Sequence, residues 1–185
     1  MSEQAGILAS RYPKPATLRD GRECQLRPMA QADIESVLAF ANNLDPDDLL
    51  YLRFNITERS VVEAWGQNIE DGRAFTILAL DGGLVVGEAT LLHSTTSWTR
   101  HLGEIRMQVA PQARQFGLAR TLATEIEWYA RELNLQMLTA RMTLDQEAAQ
   151  KVFRQLGFQR EAVLWDYVIT ADGKTRNLLV ATKRL

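Results

Sequence analysis

Thiol and imidazole chemistry is scarce in this sequence, which holds one cysteine, Cys24, and two histidines, His93 and His101. A lone cysteine closes no internal disulfide and builds no thiol cluster for a metal, so Cys24 is expected to be a small buried apolar residue on an early strand. The two histidines are far apart and form neither HxxxH nor HExxH, so both are expected in loops or at strand ends rather than as metal ligands. No apolar run approaches the roughly 20 residues that cross a bilayer. Glu3, Arg11, Lys14, Arg19 and Asp20 interrupt the start of the chain, which argues against a signal peptide. Lys and Arg total 21 against 23 for Asp and Glu, and a formal charge of -2 gives no general attraction to nucleic acid or an anionic membrane. The expectation is a cytoplasmic protein with neither of those partners.

What is present suffices for one core. A chain of 185 residues, 46% hydrophobic, fits one domain over residues 21–185 behind a tail, residues 1–20, that carries Pro13 and Pro15. No internal repeat, low-complexity tract or linker divides it. Residues 23–29 read as a short strand, and Ile34, Val37, Leu38 and Ala41 give residues 31–42 a helical spacing. Residues 44–54 and 58–69 suggest two more helical pieces. The apolar runs 74–80 and 84–92 flank Asp81-Gly82-Gly83, which is hairpin chemistry. In residues 102–110, Ile105, Met107 and Val109 alternate with Glu104, Arg106 and Gln108, so the two sets face opposite sides of a sheet. A long helix is expected over 117–133, with Leu118, Leu122, Ile126, Tyr129 and Leu133 as its apolar stripe. A strand over 136–142, a helix over 145–156 ending at Gly157, and two strands around the turn 171–174 complete the order.

The passage from Val109 to Ala119 runs from a strand through Pro111-Gln112-Ala113-Arg114-Gln115-Phe116 into that long helix. Such a turn leaves several amides without intrahelical acceptors, and the helix N-terminus adds partial positive charge. Gly117 lets backbone approach a phosphate, while Arg114 and Arg120 offer charge-assisted contacts, so a diphosphate ligand fits. The Lys-Ser/Thr pair of a nucleotide-hydrolysing P-loop and the three glycines of a dinucleotide fingerprint are both missing.

Arg114-x-x-Gly117-x-Ala119 resembles the Arg/Gln-x-x-Gly-x-Gly/Ala signature of the GNAT superfamily of N-acetyltransferases. The preceding hairpin and the following strand, helix and Gly157-Phe158 keep the family's order, so the resemblance spans residues 23–185. It implies an α+β fold, with a twisted, mixed and mainly antiparallel sheet flanked by helices. It also implies acetyl-CoA as co-substrate, held by Met107, Gln108, Val109, Arg114, Gln115, Phe116, Gly117, Leu118, Ala119 and Arg120, with no metal. The amides near Met107 to Val109 would polarise the acetyl carbonyl.

By its residue type and place alone, Glu104 reads as an exposed strand carboxylate paired with Arg106 or a neighbouring-strand cation, or as a base. A base is useful because deprotonating a lysine of pKa ~10.4 at pH ~7.4 costs about 4 kcal/mol. The chain resembles the bacterial protein lysine acetyltransferases called Pat, whose catalytic glutamate lies at the distance of Glu104 before the glycine of the turn. Leu44-Asp45-Pro46 and Tyr51-Leu52-Arg53-Phe54 look like their Leu-Ser-Pro and Tyr-x-Arg-Phe stretches. The likeness implies a protein lysine acceptor, for example on an acyl-CoA synthetase or another metabolic enzyme, and leaves homodimer formation open. Residues 45–71 carry seven carboxylates against two arginines, a field that would draw a cationic acceptor. Phe153 departs from the tyrosine that protonates the leaving thiolate in many relatives. Tyr129 and Tyr167 are alternatives for that role, although each reads first as a core or sheet residue. Transfer to a small-molecule amine and a non-catalytic acyl-CoA sensor are the competing readings.

Overall fold

A computed structural model describes residues 3–49, 54–94 and 98–185. Helix α1 (Glu3–Arg11) and strand β1 (Lys14–Thr17) lead to β2 (Glu23–Pro28), α2 (Ile34–Asn42), α3 (Pro46–Leu49) and α4 (Arg59–Glu70). The hairpin β3 (Ala74–Asp81) and β4 (Leu84–His93) follows, then β5 (Leu102–Val109), α5 (Leu118–Glu132) and β6 (Met137–Thr143). Helix α6 (Glu147–Gln155), β7 (Gln159–Ile169) and β8 (Thr175–Arg184) close the chain. The strands form one sheet in the order β1-β2-β3-β4-β5-β6-β8-β7, antiparallel at every pair except β5 with β6. This is the α+β, mainly antiparallel architecture expected from the sequence. Among the described residues no helix is long and apolar enough to cross a membrane.

The alternation of each strand divides the core between the two sheet faces. On one face Ile77, Ala89, Leu91 and Ile105 meet Leu118, Leu122, Ile126 and Tyr129 of α5, with Leu138, Phe153 and Phe158 continuing the layer. On the other, Leu78, Leu80 and Val85 pack against Val37, Leu38 and Phe40 of α2 and Val62 of α4. Each fully buried leucine or isoleucine contributes about 1.5–3 kcal/mol against exposure, so these two layers dominate stability. Cys24 is buried in the first layer, as its reading as a small apolar residue anticipates. Gly103 marks the tightest approach, since a Cβ there would stand 2.6 Å from Leu91 Cδ1 and 3.0 Å from Leu135 Cδ1.

The tail expected over residues 1–20 is corrected by the structure. Strand β1 pairs with β2 from Lys14↔Leu26 to Thr17↔Glu23, and Tyr12 and Leu18 enter the core. Sequence patterning misses this because the segment's apolar residues are few and the anchor lies more than a hundred residues away. That anchor is Glu125 of α5, which is 1% exposed. Its carboxylate accepts from Arg11 Nε at 2.8 Å, the Tyr12 hydroxyl at 2.8 Å and Lys14 Nζ at 2.5 Å. The Arg11 guanidinium also covers the Trp128 ring at 3.9 Å. Burial pushes the Glu125 carboxyl up, but the bonds from Arg11, Lys14 and Tyr12 outweigh it and hold the group below its ordinary value.

Glu125→Gln is therefore expected to destabilise the protein by about 1–3 kcal/mol near pH 7 in urea unfolding. A group held below its unfolded pKa stabilises above that unfolded value and loses the contribution as pH falls through the folded one. The difference between variant and wild type should accordingly shrink on acidification through the carboxylate range. A gap that is constant with pH would show that the ionised form contributes nothing.

Candidate active site

The site begins where β5 leaves its parallel neighbour. β5 pairs with β6 only from Leu102↔Met137 to Glu104↔Thr139, whereas β4 holds β5 all the way from His93↔Gly103 to Gly87↔Val109. Beyond Glu104 the edge of β5 that faced β6 has no strand partner among the described residues, which leaves amides of that edge to a ligand. The Ala110 amide donates to Val86 O at 2.9 Å and keeps the end of β5 on the sheet as the chain turns.

Pro111 opens a 3-10 turn, Pro111–Ala113, and Ala113 is buried as its anchor. Two left-handed residues then redirect the chain, Gln115 at φ 68° and Gly117 at φ 93°. At Gly117 this conformation favours a residue without Cβ. The first main-chain bond of α5 runs from the Thr121 amide to Gly117 O at 3.1 Å, which leaves the preceding amides for an external acceptor at the positive end of a 15-residue helix.

A cleft of about 1090 Å³ opens in front of this turn. Its walls include Met107, Gln108, Val109, Arg114, Gln115, Gly117, Leu118, Ala119 and Arg120, so nine of the ten residues expected to hold the donor converge there. Helix α6 supplies the opposite wall through Ala149, Lys151, Val152 and Phe153. Phe116 is not part of the lining; its ring packs on the core and lies 5.1 Å from the Arg22 guanidinium. Arg114 lines the cleft but is engaged, with Nε donating to Val109 O at 2.9 Å and the terminal nitrogens meeting Asp48 and, at 3.8 Å, Asp45. Arg19, from the segment read as a tail, also lines the cleft. Amides, arginines and a glycine at the close approach fit a diphosphate. Among the described residues no group of His, Cys, Asp and Glu is arranged to hold a metal ion.

Glu104 stands at the fork between β5 and β6 rather than in the cleft wall. Its carboxylate accepts from Arg106 at 2.7 and 2.9 Å, and Arg141 of β6 lies 3.6 Å away. Both arrangements weighed from sequence, the same-strand arginine and the neighbouring-strand cation, thus occur together. Phe153 is buried in the cleft floor and meets Phe158 edge to face at 5.1 Å. Neither tyrosine replaces it: Tyr129 stacks on Phe75 at 3.8 Å in the core, and Tyr167 is 63% exposed on β7. The acidic stretch is partly compensated, since Asp45 and Asp48 face Arg114, Glu63 faces Arg59 and Asp71 faces Arg73. Of the Tyr51–Phe54 stretch, Tyr51 to Arg53 lie outside the described residues.

Sequence reading missed a second carboxylate on the face of Glu104. Glu88 of β4 sits in register with Gln108 and is buried. A chain of hydrogen bonds runs to it from Trp65 Nε1 through the Thr76 and Thr90 hydroxyls, with steps of 2.9, 2.9 and 2.8 Å. Burial pushes its carboxyl up to about 8, against the opposing effects of the Thr90 bond and the Arg106 charge. Its only sequence signal is a charged residue inside an otherwise apolar strand.

The chain matches the family described as Acetyltransferase (GNAT) domain over residues 24–159. No curated protein sequence gives a significant match. The fold resembles the GNAT domain of S. lividans PAT at 17% identity and TM-score 0.78, covering 93% of this chain and 96% of that one. A ribosomal-protein-alanine N-acetyltransferase from Brucella melitensis is 25% identical at TM-score 0.75, over 86% of this chain and 99% of the other. The yncA protein of Salmonella typhimurium, solved with its cofactor acetyl-CoA, is 18% identical at TM-score 0.75, over 88% and 94%.

Because the folded state holds the Glu88 proton to higher pH than the unfolded chain does, stability should fall as pH rises from the ordinary carboxyl range toward 8. Glu88→Gln is expected to match wild type near pH 5 and exceed it above pH 8 in urea unfolding. A difference between the two that stays constant with pH would mean that Glu88 titrates like an exposed carboxylate.

Proposed function

The chain belongs to the GNAT acetyltransferase family, and from that premise we propose that it acetylates a primary amine of a protein, a lysine side chain, with Glu104 as the base. As a family member it is an acetyl-CoA-dependent N-acetyltransferase. The observation that carries the proposal is the position of Glu104 at the fork, where the free edge of β5 begins and three residues before Met107. The carboxylate and the free peptide groups therefore lie on one short strand segment, where a base and a carbonyl-binding edge are needed together.

The donor supplies an activated acetyl group as a thioester. The edge at Met107 to Val109 orients its carbonyl, and the turn before α5 holds its phosphates. Glu104 takes the ammonium proton through a water, because Arg106 and Arg141 occupy its direct approaches. The freed amine nitrogen bonds to the acetyl carbon, the C–S bond breaks with its electron pair leaving on sulfur, and the nitrogen's second proton, released as the amide forms, passes to that thiolate or to solvent. A thiolate of pKa ~8.5 departs without a dedicated acid, consistent with Phe153 in the cleft floor. We place this reaction in the cytoplasm.

One second reading has a specific observation behind it. The relative that is 25% identical is a ribosomal-protein-alanine N-acetyltransferase, which favours an N-terminal α-amine. An α-amine of pKa ~7.7–8.0 costs under about 1 kcal/mol to deprotonate at pH ~7.4, against about 4 kcal/mol for lysine. The lysine reading therefore depends more heavily on the base.

Three measurements check these assignments. Glu104→Gln should keep acetyl-CoA binding while kcat falls at least ~100-fold, the usual scale for a general base; unchanged turnover would falsify the role of Glu104. Separately, an N-terminally blocked peptide with lysine should be acetylated in preference to a lysine-free peptide with a free N-terminal alanine. The reverse preference establishes the α-amine reading, and label from acetyl-CoA that enters only small molecules in a lysate overturns both.

A further inference from the structure

We infer that Arg19, delivered by the turn between β1 and β2, is a diphosphate-binding residue of the donor site. The inference rests on the acetyl-CoA reading of the cleft and adds a ligand from a part of the chain that the Arg-x-x-Gly motif does not include.

The turn is closed by the Leu18 amide to Arg22 O at 2.8 Å and the Gly21 amide to Leu18 O at 3.0 Å, and Leu18 is buried beneath it. It is also fastened to the phosphate turn at two points. The Arg19 amide donates to Phe116 O at 3.0 Å, and the Arg22 guanidinium donates to Gln112 O at 2.9 Å. The Arg19 backbone is thus fixed against the loop that carries the free amides, so its long side chain needs little further ordering to act there.

That side chain reaches the left-handed glycine. A Cβ at Gly117 would lie 3.7 Å from Arg19 Nε and 3.8 Å from Arg19 Cγ. The guanidinium therefore borders the opening that the absent side chain leaves for a phosphate. Arg114, the motif arginine, is held by Val109 O and Asp48. Arg19 makes no ion pair among the described residues, and an arginine with open donors suits bidentate recognition of phosphate oxygens. Arg19 and the amides before Thr121 together meet the donor's charge, while Arg114 holds α3 against the turn.

The test compares wild type, Arg19→Ala and Arg19→Lys for binding and steady-state kinetics, using acetyl-CoA and acetyl-3′-dephospho-CoA. The backbone contact of residue 19 survives each substitution, and a thermal melt checks that the fold does too. Arg19→Ala should raise Kd and KM for acetyl-CoA about 10- to 100-fold, the range for a charge-assisted hydrogen bond, with a much smaller change in kcat. The same factor should appear with the dephospho donor, lysine should restore part of the loss, and added salt should narrow the gap. A loss confined to acetyl-CoA assigns Arg19 to the 3′-phosphate and overturns the diphosphate assignment, as does a variant that binds both donors like wild type. A wild-type protein that binds neither donor refutes the cleft reading itself.

Discussion

The parallel ladder between β5 and β6 ends after Glu104↔Thr139, and the rest of the site depends on that early parting. β4 keeps its hold on β5 as far as Val109, so β5 stays with the antiparallel half of the sheet while β6 continues with β8. A longer ladder would consume the peptide groups at Met107 to Val109 and close the space between α5 and α6. The packing on the far side of β4 supports the same geometry. A Cβ at Gly87 would stand 3.1 Å from Leu118 and 3.3 Å from Leu122, so the start of α5 sits close against the strand that restrains β5.

The N-terminal segment is bound into this arrangement electrostatically and by main-chain bonds. Glu125 gathers Arg11, Tyr12 and Lys14 at the middle of α5, and the following turn lies on the loop at the N-terminal end of the same helix. One helix thus organises both the anchoring of the first strand and the donor site. Arg114 makes a comparable link in the other direction, from the phosphate turn to α3 through Asp45 and Asp48. Its cation serves the scaffold as well as the cleft, and the diphosphate has other donors available.

Two carboxylates on one sheet face experience opposite surroundings. Glu104 lies between two guanidiniums at the fork, whereas Glu88 is buried with a bond from the Thr90 hydroxyl and the more distant charge of Arg106. Environment, not residue type, makes Glu88 keep its proton at neutral pH, while Glu104 stands beside two cations near the free edge. Phe153 completes the contrast by making the cleft floor apolar where many relatives place an acid.

The alternation in residues 102–110, the hairpin at Asp81-Gly82-Gly83 and the strand-to-helix passage at 109–119 were legible because period-2 patterning, turn residues and helix starts are local properties. They determined the family, the donor and the strand that carries Glu104. The ion pairs of Glu104, the engagement of Arg114, the withdrawal of Phe116 and the distance of Tyr129 and Tyr167 from the cleft were decided only by tertiary packing. So was the place of residues 14–19, which pair with β2 nearby in the chain but also meet the phosphate turn through the Arg19 amide and Phe116 O, positions about a hundred residues apart. Local sequence fixes which groups a segment offers; which charges they meet depends on contacts that only the closed fold brings within a few ångströms.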